Sequence, residues 1–285
     1  MLSDRRSPDG VAATPQHIRS GILAYAAGDA LGVPWEGRTS DEVRWEALEA
    51  LPARGDWPRG TTSDDTEQLL LVAEDLVEAN GQINEQDFLA RLAKALPRMR
   101  GAGPTTQAAV RRFLATGGLH AIEGSSVGAA MRALPFGWTT PVTEAAHRRE
   151  LTIRLSRTTH GAPEAIISAC VVAEMAAWAL ELHPVEAVVA AGLREAEDLA
   201  RQYALWSGPR WVTLVCASQA TSVACSFSNS SGVRQPRALW RRWRLWKISR
   251  YSKIALANST RVFHRWRSSN SVCIRAQNDS ITALS

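Results

Sequence analysis

The sequence has few cysteines, and none of them are paired at a metal-binding or redox spacing. The four lie far apart and form no C-x-x-C motif; they are Cys170, Cys216, Cys225 and Cys273. Zinc ribbons require such pairs, and small disulfide-stabilised folds require closely spaced cysteines in even number. The composition therefore indicates neither of these two classes of protein.

Long apolar segments are also scarce. The first ten residues carry charges and lack the apolar stretch of a secretory signal. The longest apolar run, from Ala165 to Leu180, is interrupted by Glu174 and is shorter than the roughly 20 residues that span a bilayer. We therefore expect a cytoplasmic protein that has no membrane partner.

Acidic residues are nearly missing from the C-terminal part of the chain. Residues 201–285 contain 14 Lys and Arg but only one acidic residue, Asp279, which gives a balance of +13. Residues 1–200 contain 19 basic and 27 acidic residues, a balance of −8. The overall charge of +5 thus conceals two regions of opposite character, which places a boundary near residue 200.

The basic segment 201–285 is rich in Trp, Arg and Ser and shows no clear helical period. Arg with interleaved Trp is typical of segments that bind nucleic acid or a membrane surface. A poorly ordered extension is a second interpretation. We favour a third, an aberrant or out-of-frame translation, because a shifted reading frame would not preserve charge balance. A nucleic-acid partner is expected only if the segment is genuine.

The first 200 residues are predicted to be helical, because strand-like alternation is almost absent and apolar residues recur at helical spacing. We predict an all-α, compact multi-helix domain over residues 15–200, preceded by a flexible N-terminus at residues 1–14. The predicted helices are Ile18–Leu31, Glu67–Glu78, Glu85–Met99, Thr105–Ala115, Pro163–Leu182 and Val185–Tyr203.

Two adjacent carboxylates, Asp64 and Asp65, stand at a predicted helix start in the segment GTTSDDTEQL. Thr62 or Ser63 would be a suitable N-cap, and the helix dipole favours acidic residues in a first turn. Carboxylates flanked by hydroxyls are also the oxygen ligands that Mg²⁺ binds. The segment alone leaves both helix capping and metal binding open.

Four further segments combine glycine with polar residues. GILAYAAGDALGVPWEG places Asp29 inside an apolar helix and Glu36 in the loop that follows. RGAGPTTQAAV and GSSVGAAMRALPFG are glycine-rich and lead into helices, and SRTTHGAPEA carries His160 before a Gly-Pro helix start. Taken singly, each is also compatible with ordinary helix packing, capping or initiation.

In this order, the five segments resemble the ADP-ribosylglycohydrolase family. The matching stretches are GDALGVPWE at 28–36, SDDT at 63–66, GAGPTT at 101–106, GAAMRALPFG at 128–137 and TH at 159–160. The resemblance covers roughly residues 17–200. It implies an all-helical fold that uses two Mg²⁺ or Mn²⁺ ions to release ADP-ribose from a modified protein or a small ADP-ribose conjugate.

The resemblance also implies roles for individual residues. The metal ligands would be Ser63, Asp64 and Asp65, and the catalytic residues would be Glu36 and Asp65. The ADP-ribose pocket would be lined by Thr105, Gly128, Ala129, Met131, Arg132 and His160. Positive charge builds on the ribose as the leaving group departs, so a carboxylate-rich site suits this reaction.

One element of the family pattern is missing from the sequence. The family supplies the second half of its metal site from a late D-x-D-T segment, and residues 201–285 offer only Asp279. We therefore expect a domain that is incomplete at its C-terminus, weak binding of Mg²⁺ or Mn²⁺, and little or no hydrolysis. Two alternatives stay open: an inactive ADP-ribose-binding pseudoenzyme and a crystallin-like structural protein.

Overall fold

The computed structural model describes residues 13–38, 42–43 and 51–203, which fold almost entirely into helices. The eight α-helices found there are α1 (Pro15–Gly32), α2 (Asp64–Glu78), α3 (Glu85–Ala95), α4 (Pro104–Thr116), α5 (Leu134–Thr139), α6 (Ala145–Arg157), α7 (Pro163–Leu180) and α8 (Val185–Gln202). Short 3-10 helices occupy Val33–Trp35, Leu96–Arg98, Val127–Arg132 and Val142–Glu144. These ranges contain no β-strand, so the predicted all-α class is confirmed.

Helix α7 is the centre of the fold. It packs against α5, α6, α8 and the 127–132 turn, and thirteen of its eighteen residues are buried. By length and composition alone this helix could span a membrane, so the sequence-based judgement that its apolar run was too short is not supported. However, 72% of it is buried inside the fold, which is the environment of a core helix.

The largest apolar core lies between α2, α3 and the α5–α7 region. On α2, Leu69, Val72 and Leu76 recur at helical spacing and are fully buried. Phe88 and Leu92 of α3 pack in the same core as Val72 and Leu76. Burying such side chains contributes about 1.5–3 kcal/mol each. Val72 and Leu76 hold the later turns of α2 in this core, whereas Leu69, nearer the helix start, belongs to a second cluster that includes Trp138.

The α6 helix was not predicted, and a buried ion pair explains how it is held. Arg148 of α6 is 1% exposed and donates through Nε to Glu174 of α7 at 3.1 Å. The Arg148 Nη1 atom also donates to the carbonyl of Pro141 at 2.8 Å, and Trp178 donates to Glu174 at 2.8 Å. A charged residue therefore occupies a core position that an apolar pattern would have filled.

The predicted helix boundaries need small corrections, and the predicted domain boundaries stay predictions. The helix expected over Glu85–Met99 ends at Ala95 and continues as a 3-10 turn containing Pro97, which has no N–H to donate. Most of the flexible N-terminus predicted at 1–14 lies outside the described residues. The basic segment predicted at 201–285 lies outside them beyond Tyr203.

Candidate active site

The first turn of α2 carries the two adjacent carboxylates. The helix begins at Asp64, and Ser63 is its N-cap, because the Ser63 hydroxyl accepts the N–H of Asp65 at 3.2 Å. At this end of a helix the free N–H groups and the dipole favour negative charge. The sequence therefore folds so that Asp64 and Asp65 sit at the positive end of α2.

Asp29 of α1 is hydrogen-bonded to the same turn of α2. Its carboxylate accepts the Ser63 hydroxyl at 2.8 Å and the Thr66 hydroxyl at 2.6 Å. It also accepts the backbone N–H groups of Ser63 and Thr66, at 2.9 and 3.2 Å. Burial raises the pKa of Asp29, while these hydrogen bonds lower it. Asp29 is thus a hydrogen-bonded residue within a packed helix, one of the two interpretations of its motif.

Several carboxylates lie close together in a partly buried space at the start of α2, and this raises their pKa values. Burial raises the pKa of Asp64 to about 6, aided by Glu36 and Asp29 and opposed by a hydrogen bond from Gln68. Burial, with Asp29, Asp64 and Glu36, raises the pKa of Asp65 to about 8. In the described part of the chain the Asp65 carboxylate has no hydrogen-bond donor. Among those residues, no donor therefore competes with a cation for its oxygens.

Glu36 lies at the edge of this cluster, on the exposed side. Its carboxylate forms an ion pair with Arg54, whose guanidinium lies 4.9 Å from the ring centre of Trp57. Glu36 still contributes to the raised pKa values of Asp64 and Asp65, so it is close to the predicted metal ligands. It must leave Arg54, at least in part, to act as a proton-transfer group.

A buried cation stands behind Asp64. Arg132, 1% exposed, donates through Nη1 to the Gln68 side-chain oxygen at 2.7 Å, and the Gln68 amide donates to Asp64 at 2.8 Å. The guanidinium also lies 4.9 Å from the ring centre of Phe88. Burial lowers the pKa of Arg132 to about 9, opposed by Asp64, so Arg132 is still charged at neutral pH.

On the side away from Gln68, Arg132 begins a series of hydrogen bonds through hydroxyl groups and a histidine. Arg132 Nη2 donates to the Thr159 hydroxyl at 2.5 Å, and that hydroxyl lies 2.7 Å from His160 Nδ1. His160 Nε2 lies 2.9 Å from the Ser126 hydroxyl, which lies 3.4 Å from the Thr105 hydroxyl. One hydrogen-bonded chain therefore runs from Asp64 to the exposed Ser126.

His160 is held neutral in one orientation. Burial and the nearby Arg132 lower its pKa to about 3. Because the Thr159 hydroxyl accepts a hydrogen bond from Arg132, it can donate its own hydrogen to His160 Nδ1. The neutral ring then carries its proton on Nε2 and donates it in a hydrogen bond to Ser126. A Cβ atom at Gly128 would lie 2.6 Å from His160 Cε1, so the glycine makes room for the ring.

A second glycine lets the chain pass close to Asp64. Gly101 has a φ of +87°, which favours glycine, and a Cβ atom there would lie 3.0 Å from Asp64 Oδ1. The same atom would lie 3.4 Å from the Trp57 ring. The glycine-rich segment predicted from the sequence therefore borders the acidic cluster, and a side chain at 101 would crowd it.

The structure separates the predicted site residues into two groups. Ser63, Asp64 and Asp65 meet at the start of α2, while Thr105, Gly128 and His160 meet around Ser126. Ala129, Met131 and Arg132 are buried behind these surfaces rather than at the exposed end of the chain of hydrogen bonds. The Met131 carbonyl accepts the Tyr25 hydroxyl at 2.6 Å, which ties the 127–132 turn to α1.

Three residues of this arrangement were not identified from the sequence: Gln68, Ser126 and Tyr25. A signal for Gln68 was present, because it follows Asp64 by four residues and so shares its helix face. Ser126 lay within the quoted glycine-rich segment but carried no distinguishing pattern. The Tyr25 contact spans 106 residues, and nothing local in the sequence indicates it.

A sequence model of the ADP-ribosylglycohydrolase family matches residues 11–240, which is most of the chain. This chain belongs to the ADP-ribosylglycohydrolase family. The resemblance found in the five sequence motifs is therefore confirmed. The name of the family describes a hydrolase of ADP-ribose conjugates.

Two known proteins are similar to this chain. An uncharacterised protein of Archaeoglobus fulgidus is 33% identical over 132 residues. The match covers 43% of this chain and 42% of that protein, so the chain spans less than half the length of that relative. A solved structure of an ADP-ribosylglycohydrolase-related protein complex is similar with a TM-score of 0.57 and 26% identity, covering 75% of this chain and 81% of that one.

Proposed function

We propose that this chain is a metal-dependent hydrolase that releases ADP-ribose from a modified protein or a small ADP-ribose conjugate, with low turnover. The observation that carries the proposal is the pair Asp64 and Asp65. Both have raised pKa values at the positive end of α2, and one hydrogen-bonded chain links Asp64 to His160. We also propose the cytoplasm as its location.

The residues that would hold Mg²⁺ or Mn²⁺ are Ser63, Asp64 and Asp65. Their oxygens fit in kind, because hard divalent ions bind carboxylate and hydroxyl oxygens and retain water. They are few in number: among the described residues, no group of three His, Cys, Asp or Glu side chains could hold a metal ion. We therefore propose weak metal binding, in which water supplies most of the coordination.

Such an ion would supply positive charge that orients the ribose hydroxyls and a water molecule. The protein residues would do the rest of the chemistry. The carboxylates at the start of α2 would stabilise positive charge that develops on the ribose. A bound divalent ion would favour the ionised form of Asp65, whose pKa is otherwise raised to about 8. Asp65 would then accept a proton from water, with Glu36 as the neighbouring carboxylate.

The ADP-ribose part of the conjugate would bind at the surface near Ser126, where Thr105, Gly128 and His160 meet. Ser126 is exposed and Thr105 is half-buried, and both present hydroxyls at the end of the Arg132–His160 chain. Neutral His160 would fix the direction of the Ser126 proton. We propose that this surface recognises the conjugate and that the acidic cluster faces its scissile bond.

A catalytically inactive ADP-ribose-binding protein is the second candidate. The observation that favours it is the small number of cation ligands among the described residues, combined with an intact hydrogen-bonded chain at Ser126 and Thr105. An inactive protein of this kind would bind ADP-ribose without needing a metal ion.

The test is calorimetric titration of the full chain with ADP-ribose, in Mn²⁺ and in EDTA. Tighter binding in Mn²⁺, together with slow release of ADP-ribose from a modified peptide, supports the hydrolase. Equal binding in both buffers without release supports the inactive protein. No binding in either buffer contradicts both. The matched variant is Ser126→Ala, which we expect to weaken binding in both buffers.

A further inference from the structure

Gln68 is a buried polar residue that the proposed chemistry does not use directly. Its side chain is 0% exposed and lies on α2 one turn after Asp64. Both ends of its amide are hydrogen-bonded. Nε2 donates to Asp64 Oδ2 at 2.8 Å, and Oε1 accepts from Arg132 Nη1 at 2.7 Å.

Arg132 fixes the orientation of this amide. A guanidinium has donors only, so the Gln68 atom that faces it must be the oxygen. The amide nitrogen therefore faces Asp64 and can only donate to it. Arg132 is itself restrained, because it also donates to Thr159 and lies over the Phe88 ring.

The amide also keeps Arg132 away from the carboxylate. An arginine in direct contact with Asp64 would form a two-pronged ion pair and occupy both carboxylate oxygens. With Gln68 between them, Asp64 Oδ2 accepts a hydrogen bond from the amide instead of an ion pair with Arg132. The other oxygen, Oδ1, lies on the side of Gly101, where a Cβ atom would be 3.0 Å away.

We propose that Gln68 is a positioning residue for Asp64. It holds the carboxylate in one orientation and separates it from the buried cation, so that the carboxylate stays available to a divalent ion. This inference rests on the proposed function, since Asp64 is a metal ligand only there. Residues that orient metal ligands typically change metal affinity by 10- to 100-fold when they are replaced.

The first test uses Tb³⁺, an oxygen-seeking ion whose emission nearby tryptophan sensitises, as the probe of the site in the full chain. Gln68→Met keeps the length of the side chain but removes both hydrogen bonds, so we expect Tb³⁺ affinity to fall roughly tenfold or more. The matched control is Val72→Ala, a buried change on the same helix, with an expected affinity within about twofold of wild type. Unchanged affinity in Gln68→Met, or an equal loss in Val72→Ala, overturns the proposal.

A second test needs no metal ion and separates the inference from the proposed function. In protein labelled with ¹⁵N-glutamine, the Gln68 side-chain amide is identified by its absence from Gln68→Met. Asp64→Ala should move its proton resonances upfield, because they lose a carboxylate acceptor, whereas Asp65→Ala should move them little. Failure to bind Tb³⁺ with this pattern intact contradicts the metal site alone. An unmoved Gln68 amide in Asp64→Ala overturns the positioning role.

Discussion

The carboxylate of Asp29 in α1 accepts hydrogen bonds from both the backbone N–H and the hydroxyl of Ser63, at 2.9 and 2.8 Å. The two residues are 34 positions apart, and Ser63 is the residue from which α2 starts. This contact with α1 therefore sets the orientation of the first turn of α2, which carries Asp64 and Asp65. The integrity of the acidic site depends on this contact as well as on its own residues.

Replacing Asp29 should destabilise the fold. Asp29→Ala leaves the Ser63 and Thr66 donors without their acceptor, and we expect the free energy of unfolding to fall by about 2–4 kcal/mol. Urea unfolding followed by tryptophan fluorescence measures the change. Asp56→Ala, at an exposed carboxylate, is the control and should change stability by about 0.5 kcal/mol or less. Equal effects of the two changes would contradict the bracing role of Asp29.

The close approach of the Gly101 backbone to the Asp64 carboxylate gives a second prediction. Gly101→Ala places a side chain at a φ of +87° and 3.0 Å from Asp64 Oδ1, so we expect a loss of about 1–3 kcal/mol of stability and weaker Tb³⁺ binding. Gly103→Ala is the matched control, because its φ is −69° and no atom lies within 4 Å of the added Cβ. Similar unfolding midpoints for the two variants would argue against the crowding of Asp64.

The raised pKa of Asp65 predicts a pH-dependent stability. The native state keeps the Asp65 proton up to about pH 8, whereas the unfolded chain releases it near pH 4. The native state binds more protons in this window, so this group makes stability fall as pH rises. Asp65→Asn removes the penalty, and we expect it to be more stable than wild type at pH 8 by about 1 kcal/mol or more, with a smaller gain at pH 5.

Urea unfolding in EDTA at pH 5, 6.5 and 8 checks this prediction. Comparing the variant with wild type at each pH removes the contributions of titrating groups that do not interact with Asp65. Asn cannot ionise, so the difference reports Asp65 together with its coupling to Asp29, Asp64 and Glu36. A stability difference that stays constant from pH 5 to pH 8 would show that the Asp65 carboxyl titrates normally.

His160 has the opposite pH dependence. Its pKa is lowered to about 3, so the stability gained from keeping it neutral is complete above about pH 6.5 and is lost as pH falls below that value. We expect its Cε1 proton resonance to stay in place between pH 5 and 8 in an NMR titration. His160→Gln identifies the resonance by removing it. A chemical shift that titrates within this range would rule out the buried, neutral imidazole.

Much of the fold follows from the sequence, and α6 shows where that prediction fails. The apolar faces of α2 and α7 recur at helical spacing, so their existence was predictable. In α6 the buried face includes Arg148 beside Leu151 and Leu155, and the charge of Arg148 is paired with Glu174, 26 residues away. No local pattern reports such a pairing, because a charged residue at that position predicts an exposed surface.

The candidate site likewise has a part that the sequence predicts and a part that depends on tertiary contacts. Ser63, Asp64 and Asp65 are adjacent in sequence, and a helix start brings their side chains together without help from distant residues. The ion pair between Glu36 and Arg54 and the burial of Arg132 depend on tertiary packing. A motif can therefore nominate Glu36 and Arg132 but cannot say which side chains they contact.

The most direct measurement is release of ADP-ribose from an ADP-ribosylated peptide by the purified 285-residue chain, in Mn²⁺ and in EDTA, with Asp65→Asn as the comparison. We expect slow release in Mn²⁺ that disappears in EDTA and in Asp65→Asn. Release that persists in EDTA, or that proceeds equally in Asp65→Asn, would contradict a hydrolase whose chemistry depends on a cation held at the start of α2.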